Sequence, residues 1–226
     1  MKLLTMHNVM GEKLIIFGAG GHAVKMAKIA IMEQFDPVGY ISTEPNGTNI
    51  NGLTVFGNID FFLGQNEFHQ FKMHIGIGEN IIRQRIFNIL GELNKNIVSI
   101  KSQHSIISSD ALIQRGVCVV QSAVIQNNVK IGKCCIIDTA SIVDHDSVIG
   151  DFVNISPNSV ICSHVKIGNG VFIGAGSTVI DHITIGENSV IGAGSVVVKD
   201  IGPNVIAYGN PANVRRKRNP DEKVFK

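Results

Sequence analysis

A glycine-rich turn near the N-terminus has the residue types that can hold a phosphate. The apolar residues 13–17 predict a short strand, and the hexapeptide Gly-Ala-Gly-Gly-His-Ala at residues 18–23 follows it and leads into a helical stretch. Glycines there let the backbone N–H groups of a helix N-terminus approach a phosphate. The dinucleotide fingerprint is only partly matched, because His22 interrupts it and the next strand ends at Ile41 and Ser42 without an acidic residue. We therefore expect a nucleotide or nucleotide-sugar phosphate rather than NAD, and a turn without a ligand is the alternative.

A histidine beside a carboxylate is the second candidate for chemistry. His145 is followed by Asp146 within the stretch 143–152. Imidazole titrates near neutral pH, so it can remove a proton from an attacking amine or hydroxyl group. A neighbouring carboxylate can orient the ring or raise its basicity. The alternative is a surface or interface histidine without a chemical role.

A repeat of six residues runs through the second half of the chain. Sixteen positions spaced by six are all Ile or Val. The positions are Ile107, Ile113, Val119, Ile125, Ile131, Ile137, Val143, Ile149, Ile155, Ile161, Ile167, Ile173, Val179, Ile185, Ile191 and Val197. A small residue or Val usually stands two positions earlier, as Ala111 and Ser141 do. The pattern predicts a triangular solenoid with three hexads to a coil, whose coils pair as parallel strands roughly 4.8 Å apart.

The first hundred residues predict a different architecture. Strands are expected at residues 13–17, 38–41, 71–77 and 97–100, and they alternate with helices that end near residue 34 and span residues 81–93. This alternation indicates a small parallel α/β domain with a Rossmann-like sheet. Nine of the thirteen Phe and Tyr residues precede residue 101, so the two halves build their cores differently. We place the α/β domain at residues 13–102, the solenoid at 103–213 and a basic tail at 214–226.

Composition excludes several classes of protein. The chain has 226 residues and a net charge of +2, which gives no basic footprint for nucleic acid. It has no apolar run of about 18 residues, so we expect no membrane span. The four cysteines form no Cys-x-x-Cys pair, which argues against a zinc site and a redox pair. Reduced cysteines, together with an N-terminus that does not look like a signal peptide, predict a cytoplasmic protein.

The order of these motifs resembles one family. A GAGGHA turn, a hexapeptide-repeat solenoid and then Tyr-Gly-Asn-Pro-Ala at residues 208–212 look like the hexapeptide-repeat sugar acyltransferases. That family includes sialic acid O-acetyltransferases and N-acetyltransferases of nucleotide-linked 4-amino sugars. The resemblance implies a left-handed parallel β-helix, a homotrimer with active sites between subunits, and acetyl-CoA as the co-substrate.

The resemblance also implies roles for individual residues. By its match to the family motif, His145 is the general base, and Asp146 orients it or raises its basicity. The residues expected to bind the nucleotide sugar are Gly20, Gly21, His22, Ile41, Ser42 and Gly78. The residues expected to bind acetyl-CoA are Asn154, Ser163, Ala175 and Ala193. Many family members have a second histidine where Asn154 stands and an acidic residue near Ser42, so this chain departs from the pattern at both positions.

The implied activity is transfer of an acetyl group to the amine of a nucleotide-linked sugar of the 4-amino-4,6-dideoxy type, for bacterial surface glycan synthesis. O-acetylation of a sialic-acid-like sugar is the nearest alternative, because both acceptors would use the same base. A metal-dependent hydratase is a distant alternative. His164 and His182 would stack on adjacent coils, but His145 is offset from them by one position, so we expect no metal. A protein that assembles without catalysis is the third alternative. The arginines of the tail, at residues 215, 216 and 218, are expected to be solvated or to meet the 3′-phosphate of CoA.

Overall fold

A computed structural model describes residues 11–219 and 221–225 of the chain. The first ten residues, on which the expectation about a signal peptide rests, lie outside the described residues, as do Pro220 and Lys226 of the predicted tail. Within the described ranges, no helix has the length and apolarity needed to cross a bilayer.

The N-terminal domain is a five-stranded sheet with helices beside it. Its strands are β1 (Glu12–Phe17), β2 (Phe35–Ile41), β3 (Asn49–Ile50), β4 (Leu53–Gly57) and β5 (Lys72–Ile75). Its helices are α1 (Gly21–Met32), α2 (Ile59–Leu63) and α3 (Asn80–Leu90), with 3-10 turns at Asn66–Phe68 and Gly91–Asn96. The strand order is β3-β4-β2-β1-β5, and all neighbours are parallel except the β3–β4 hairpin. The predicted parallel α/β domain is therefore confirmed.

Two details of this domain differ from the prediction. Strands β3 and β4 and helix α2 were not predicted, because turn residues at Asn51 and Gly52 interrupt this stretch and no clear periodicity runs through it. The strand expected at 97–100 is divided: Ile97 makes a single bridge to Met73 of the α/β sheet, whereas Ile100–Lys101 pairs with Cys118–Val119 of the solenoid. The solenoid sheet thus begins before the expected boundary at residue 102.

The second domain is a left-handed parallel β-helix with three faces. The first face contains Ile100–Lys101, Cys118–Val119, Ile136–Ile137, Asn154–Ile155, Phe172–Ile173 and Val190–Ile191. The second face contains Ile106–Ile107, Val124–Ile125, Ile142–Val143, Val160–Ile161, Thr178–Val179 and Val196–Val197. The third face contains Leu112–Ile113, Lys130–Ile131, Val148–Ile149, Lys166–Ile167 and Thr184–Ile185. Within each face, successive strands lie 18 residues apart and pair in parallel, as the repeat predicts.

The repeat encodes both the interior and the corners of this prism. The Ile and Val column is buried from Val119 to Val197, and the small residues two positions earlier, such as Ala123 and Ser141, are also buried. A corner residue with positive φ recurs every six positions from Gly116 to Gly194. Such a conformation is least costly for Gly, Asn and Asp, and these types fill many of the corners. The turns, like the strands, therefore follow the six-residue period.

The C-terminal residues form a hairpin and then a return segment, residues 221–225. Arg215, Arg216 and Lys217 are exposed, as expected for a solvated tail, whereas Arg218 is buried. Val205–Gly209 joins the first face, and Ala212–Lys217 pairs with it in antiparallel fashion. Arg218 is buried and donates to the Asn188 carbonyl oxygen at 2.7 Å. Arg216 forms an ion pair with Glu222. Of the basic side chains in this part of the chain, Arg218 is therefore the one that the fold buries.

A buried arginine fixes the α/β domain against the β-helix. Arg83 of α3 is 1% exposed and donates to the carbonyl oxygens of Cys134 and Phe152 at 2.9 and 3.0 Å. It also donates to the Gly78 carbonyl oxygen of its own domain at 2.7 Å. Asn80, one turn earlier, donates to the Gly170 and Val171 carbonyl oxygens. Because charge-assisted hydrogen bonds are strong when buried, these contacts hold the two domains in one arrangement.

Candidate active site

A cavity of about 670 Å³ lies where the α/β domain meets the first face of the β-helix. This volume falls in the range of small-molecule sites. Six residues from the two predicted binding sets line it together: Gly21, His22, Gly78, Asn154, Ala175 and Ala193. The structure thus brings the beginning of α1 next to Asn154, Ala175 and Ala193, three of the residues expected to bind acetyl-CoA.

Stacking of the coils explains how the solenoid side of the cavity forms. Asn154, Phe172 and Val190 are 18 residues apart and lie side by side on the first face. Ala175 and Ala193 repeat this spacing at the corner between the first and second faces. At Gly174 the backbone of the next coil passes so close that a Cβ would collide with the Ala193 backbone nitrogen. Small residues at this corner therefore leave a groove with backbone walls.

The beginning of α1 supplies the other wall. Gly20 is the N-cap residue and provides no side-chain cap, so the first N–H groups of the helix are not satisfied by a capping side chain. Lys25, one turn later, pairs with Asp138 of the solenoid at 2.6 Å, and both line the cavity. Burial lowers the pKa of His22 to about 3, with Lys25 adding to the effect. His22 is therefore neutral at pH 7 and meets a ligand as a hydrogen-bonding group.

Two of the predicted nucleotide-site residues lie elsewhere. Ile41 and Ser42 line a second cavity of about 430 Å³ at the carboxyl end of the α/β sheet. Gly18 of the glycine-rich turn and Asn58 at the N-cap of α2 share this cavity. The carboxyl ends of parallel strands are the usual position for ligands in open α/β sheets. The glycine-rich turn consequently lies between two cavities, with Gly18 in one and Gly21 in the other.

His145 occupies the corner between the second and third faces. Its Nδ1 lies 2.7 Å from Asp146 Oδ2, and its side chain is 42% exposed. Since a carboxylate accepts the Nδ1 proton, the neutral ring carries its lone pair on Nε2, which has no hydrogen-bond partner among the described residues. The hydrogen bond to Asp146 raises the pKa of His145. This is the tautomer that a general base requires.

Asp146 is itself held in place by the coil before it. Asn128, 18 residues earlier, donates from Nδ2 to Asp146 Oδ1 at 3.1 Å. Asp146 adopts a φ of 61°, one of the recurring left-handed corner positions. Hydrogen bonds from His145 and Asn128 lower the pKa of Asp146, so it remains a carboxylate at neutral pH. The orientation of the His145 ring is therefore set by the solenoid repeat.

Further histidines stack beside this pair. His164 and His182, on successive coils, have ring centroids 4.7 Å apart, as their spacing predicts. The His164 ring packs edge-on to His145 at 5.4 Å. Potential ligand atoms of His145, Asp146 and His164 lie within 4.8 Å of one another. In this arrangement Asp146 Oδ2 is engaged with His145 Nδ1.

The proposed base and the main cavity do not meet within one chain. The cavity opens along the first face and its corner toward the second face, whereas His145 follows Ile142–Val143 at the next corner of the prism. Ser163, predicted to bind acetyl-CoA, lies on the His145 corner, one coil further along, and its carbonyl oxygen accepts from the His182 N–H. The predicted residues thus divide into three groups: the main cavity, the cavity at the sheet end, and the His145 corner. Gly20, the N-cap residue of α1, is not among the lining residues of either cavity.

Comparison with known proteins agrees with this architecture. Residues 13–90 match the PglD N-terminal domain, and residues 146–181 and 164–199 match the bacterial transferase hexapeptide model of six repeats. No curated protein sequence matches significantly.

Several solved structures are similar over nearly the whole chain. A histidine mutant of perosamine N-acetyltransferase from Caulobacter crescentus, in complex with CoA and GDP-perosamine, is 27% identical with a TM-score of 0.87, covering 91% of this chain and 97% of that one. The acetyltransferase domain of PglB from Neisseria gonorrhoeae, in complex with acetyl coenzyme A, is 29% identical with a TM-score of 0.84, covering 91% and 100%. WeeI from Acinetobacter baumannii, at 24% identity, 89% and 99% coverage and a TM-score of 0.79, shares the fold. Together with the two domain matches, these similarities confirm the resemblance found in the sequence: the chain is an acyltransferase of the hexapeptide-repeat family with a PglD-type N-terminal domain.

Proposed function

We propose that this protein transfers an acetyl group from acetyl-CoA to the amine of a nucleotide-linked amino sugar, of the 4-amino-4,6-dideoxy type. The observation that carries the proposal is the main cavity, which joins the glycine-rich end of α1 to the small-residue groove of the β-helix. One ligand needs phosphate-binding amides, and the other needs a long channel for pantetheine. Relatives crystallised with CoA and GDP-perosamine support this pairing. The product would supply bacterial surface glycan synthesis.

The uncapped beginning of α1 is the proposed phosphate site. The amides near Gly20 and Gly21 and the positive end of the helix dipole favour a diphosphate there. With the diphosphate at this point, the nucleoside would extend into the cavity lined by Ile41 and Ser42. The sugar would point the other way, past His22 and Gly78, toward the groove of Asn154, Ala175 and Ala193.

The proposed reaction uses His145 as the general base. The acceptor amine, in its neutral form, attacks the thioester carbonyl carbon, while His145 Nε2 removes the proton that the nitrogen loses. The C–N bond forms and the C–S bond breaks, and the imidazolium returns the proton to the departing thiolate of CoA. The Asp146 carboxylate, 2.7 Å from Nδ1, stabilises the imidazolium. Backbone N–H groups would bind the oxyanion of the tetrahedral intermediate.

The position of His145 favours an active site shared between chains. Because the base lies one corner away from the cavity of its own chain, a second copy must bring its His145 corner to the cavity. Contacts of this type are head-to-tail and close into a ring. We propose a homotrimer with three such sites.

A mixing experiment tests the shared site. His145→Asn removes the base, and Ala193→Phe fills the groove. Each variant alone should be inactive, but mixed trimers contain an interface with an intact base and an intact groove. After co-refolding or co-expression we expect a measurable fraction of wild-type activity to return. If every mixture stays inactive while its trimers form normally, base and groove belong to the same chain.

A panel of acceptors tests the substrate class. UDP-, GDP- and dTDP-linked amino sugars are incubated with acetyl-CoA, and CoA release is measured. We expect turnover with at least one amino sugar and none with its 4-hydroxy counterpart. Turnover with free sialic acids alone would instead establish the O-acetyltransferase alternative.

The cluster of His145, Asp146 and His164 is the specific observation that keeps a metal-dependent hydratase as a second candidate. Metal analysis of the purified protein distinguishes the two. Stoichiometric zinc whose removal abolishes carbonate or hydration chemistry would support the hydratase. Acetyl transfer unaffected by chelators supports the transferase.

All four cysteines are free thiols, which agrees with the proposed cytoplasmic location.

A further inference from the structure

The return segment, residues 221–225 after the C-terminal hairpin, lies against the main cavity. Val224 and Phe225 line the cavity together with His22, Asn154 and Ala193. The Phe225 ring packs edge-on against Phe172 of the first face, with centroids 5.4 Å apart. In the sequence these residues belong to the predicted basic tail, for which a CoA contact was expected only through its arginines. Their position makes them a wall of the cavity.

A buried carboxylate fastens the segment there. Glu79, which is 8% exposed, accepts the backbone N–H groups of Val224 and Phe225 on Oε2, at 2.9 and 3.0 Å. Glu79 is also the N-cap residue of α3, where the helix dipole stabilises a negative charge. A carboxylate in these surroundings forms charge-assisted hydrogen bonds to the segment.

Two earlier contacts determine the path of the segment. Arg218 is anchored to the Asn188 carbonyl oxygen of the solenoid and also donates to the Glu222 carbonyl oxygen at 2.5 Å. Arg85 of α3 pairs with Asp221 at 3.0 Å. The chain is therefore held at the solenoid, at α3 and at Glu79 in turn, and these contacts direct Phe225 to Phe172.

The cavity retains room for a ligand with the segment in place. Its volume of about 670 Å³ is measured with Val224 and Phe225 among its lining residues, and this is a usual size for a bound cofactor. Phe225 nevertheless remains 49% exposed, although it is a large apolar side chain. An exposed ring at the edge of a ligand-sized cavity gains burial when an apolar ligand arrives.

We propose that Val224 and Phe225 of the return segment are part of the acetyl-CoA site, with Phe225 packing on the pantetheine arm and Glu79 acting as the positioning residue that holds the segment. The inference rests on the proposed function, since it assigns acetyl-CoA to this cavity. Phe225 lies on Phe172, within the stack of Asn154, Phe172 and Val190 that borders the groove. The pantetheine arm carries methylene and geminal methyl groups between its amides, and these apolar groups can pack against the edges of two aromatic rings.

The sequence offers a clean spectroscopic test, because the chain contains no tryptophan. Phe225→Trp introduces a single fluorophore at the cavity wall, and Lys223→Trp places one on an exposed residue of the same segment that does not line the cavity. On titration with CoA we expect the emission of the Phe225→Trp variant to change with saturation, at the dissociation constant that calorimetry gives for the unaltered protein. The emission of the Lys223→Trp variant should stay constant. Adding Glu79→Gln to Phe225→Trp should shift the starting emission toward that of exposed tryptophan and weaken the response.

Kinetics provides the second measurement. Phe225→Ala should raise KM for acetyl-CoA at least fivefold and leave kcat within about twofold, and Lys223→Ala should change neither. Glu79→Gln should raise the same KM, and the double variant should be no worse than Phe225→Ala, because Glu79 acts through Phe225.

Different failures have different meanings. If calorimetry shows CoA binding while the emission of the Phe225→Trp variant does not change, the segment is not part of the site, and the proposed function stands. A lower KM in Phe225→Ala would show that the segment competes with acetyl-CoA, which also overturns the proposal. If CoA does not bind by either method, the proposed function and this inference fail together.

Discussion

The His145 corner and the main cavity have opposite characters, although both belong to the same prism. The corner is polar and open to solvent, and it orders one imidazole through Asp146 and Asn128. The cavity lies between the α/β domain and the β-helix, and backbone, apolar and small side chains form most of its walls beside the Lys25–Asp138 ion pair. A corner of this kind can move a proton but encloses no ligand, while the cavity can hold a ligand but lacks the proposed base. The contrast indicates that one chain carries two half-sites, which assembly must join.

Removal of the base should have the largest effect and would test the contrast most directly. His145→Asn is expected to reduce kcat by roughly 10² to 10⁴-fold, the usual contribution of a general base. Since the cavity is untouched, the dissociation constant for acetyl-CoA measured by calorimetry should stay within about twofold. His182→Asn is the matched control, because His182 is an exposed corner histidine of the same stack, and it should retain activity. A His145→Asn enzyme with normal turnover would remove the proposed base.

Removing the Arg83 contacts between the two domains should destabilise the main cavity and leave the His145 corner unchanged. Arg83→Met leaves the Cys134 and Phe152 carbonyl oxygens without their donor, and we expect a loss of about 3 kcal/mol in the free energy of unfolding. Urea denaturation measures it. Arg85→Met, two residues along the same helix, breaks only an exposed ion pair with Asp221 and should cost about 0.5 kcal/mol or less.

The Arg83→Met variant should also differ in its kinetics. At temperatures where this variant stays folded, KM for acetyl-CoA and for the nucleotide sugar should rise, because the two domains no longer hold the cavity at a fixed width. The acid limb of the pH profile should not move, because His145 is remote from Arg83. A shifted limb would mean that the two regions are coupled.

Replacing Asp146, which orients His145, should have the smallest effect of the three changes. It tests how the His145 corner sets the pKa of the base. The hydrogen bond from Asp146 raises the pKa of His145, and a base must be unprotonated to act, so activity appears as pH rises through that pKa. Asp146→Asn lowers the pKa, and the acid limb of kcat/KM should shift to lower pH. The plateau rate should fall about tenfold because a less basic imidazole accepts a proton less readily. Asn suits the left-handed backbone at this position, so the fold should be unaffected. An unmoved limb would mean that another group titrates.

The sequence predicts the β-helix far better than it predicts the contacts between domains. A buried Ile or Val recurs every six residues, so the three faces, the register of their strands and the stacking of His164 on His182 follow from spacing alone. Strand β4 has no comparable period. Arg83 and Asn80 bind backbone carbonyl groups, which every residue possesses, so nothing in their partners' identities signals the contact.

The same limit applies to the candidate site. His145 and Asp146 stand next to each other in the sequence, and their pairing could be foreseen. Lys25 and Asp138 are 113 residues apart and connect helix α1 of the α/β domain to the β-helix, so their pairing could not be foreseen from the sequence. The return segment was missed because its charges suggested solvation, whereas the basic side chain at Arg218 is buried against Asn188 and the segment then folds back.

The 18-residue coil also fixes distances along the axis of the β-helix. Asn154, Phe172 and Val190 lie on successive coils of the first face, and His145 and Ser163 lie on successive coils along another edge. Adjacent coils are roughly 4.8 Å apart, the spacing of paired strands. Inserting one duplicated coil between His145 and the far end of the groove would therefore lengthen the axial distance between them by one coil spacing and leave the spacing of all other coils unchanged.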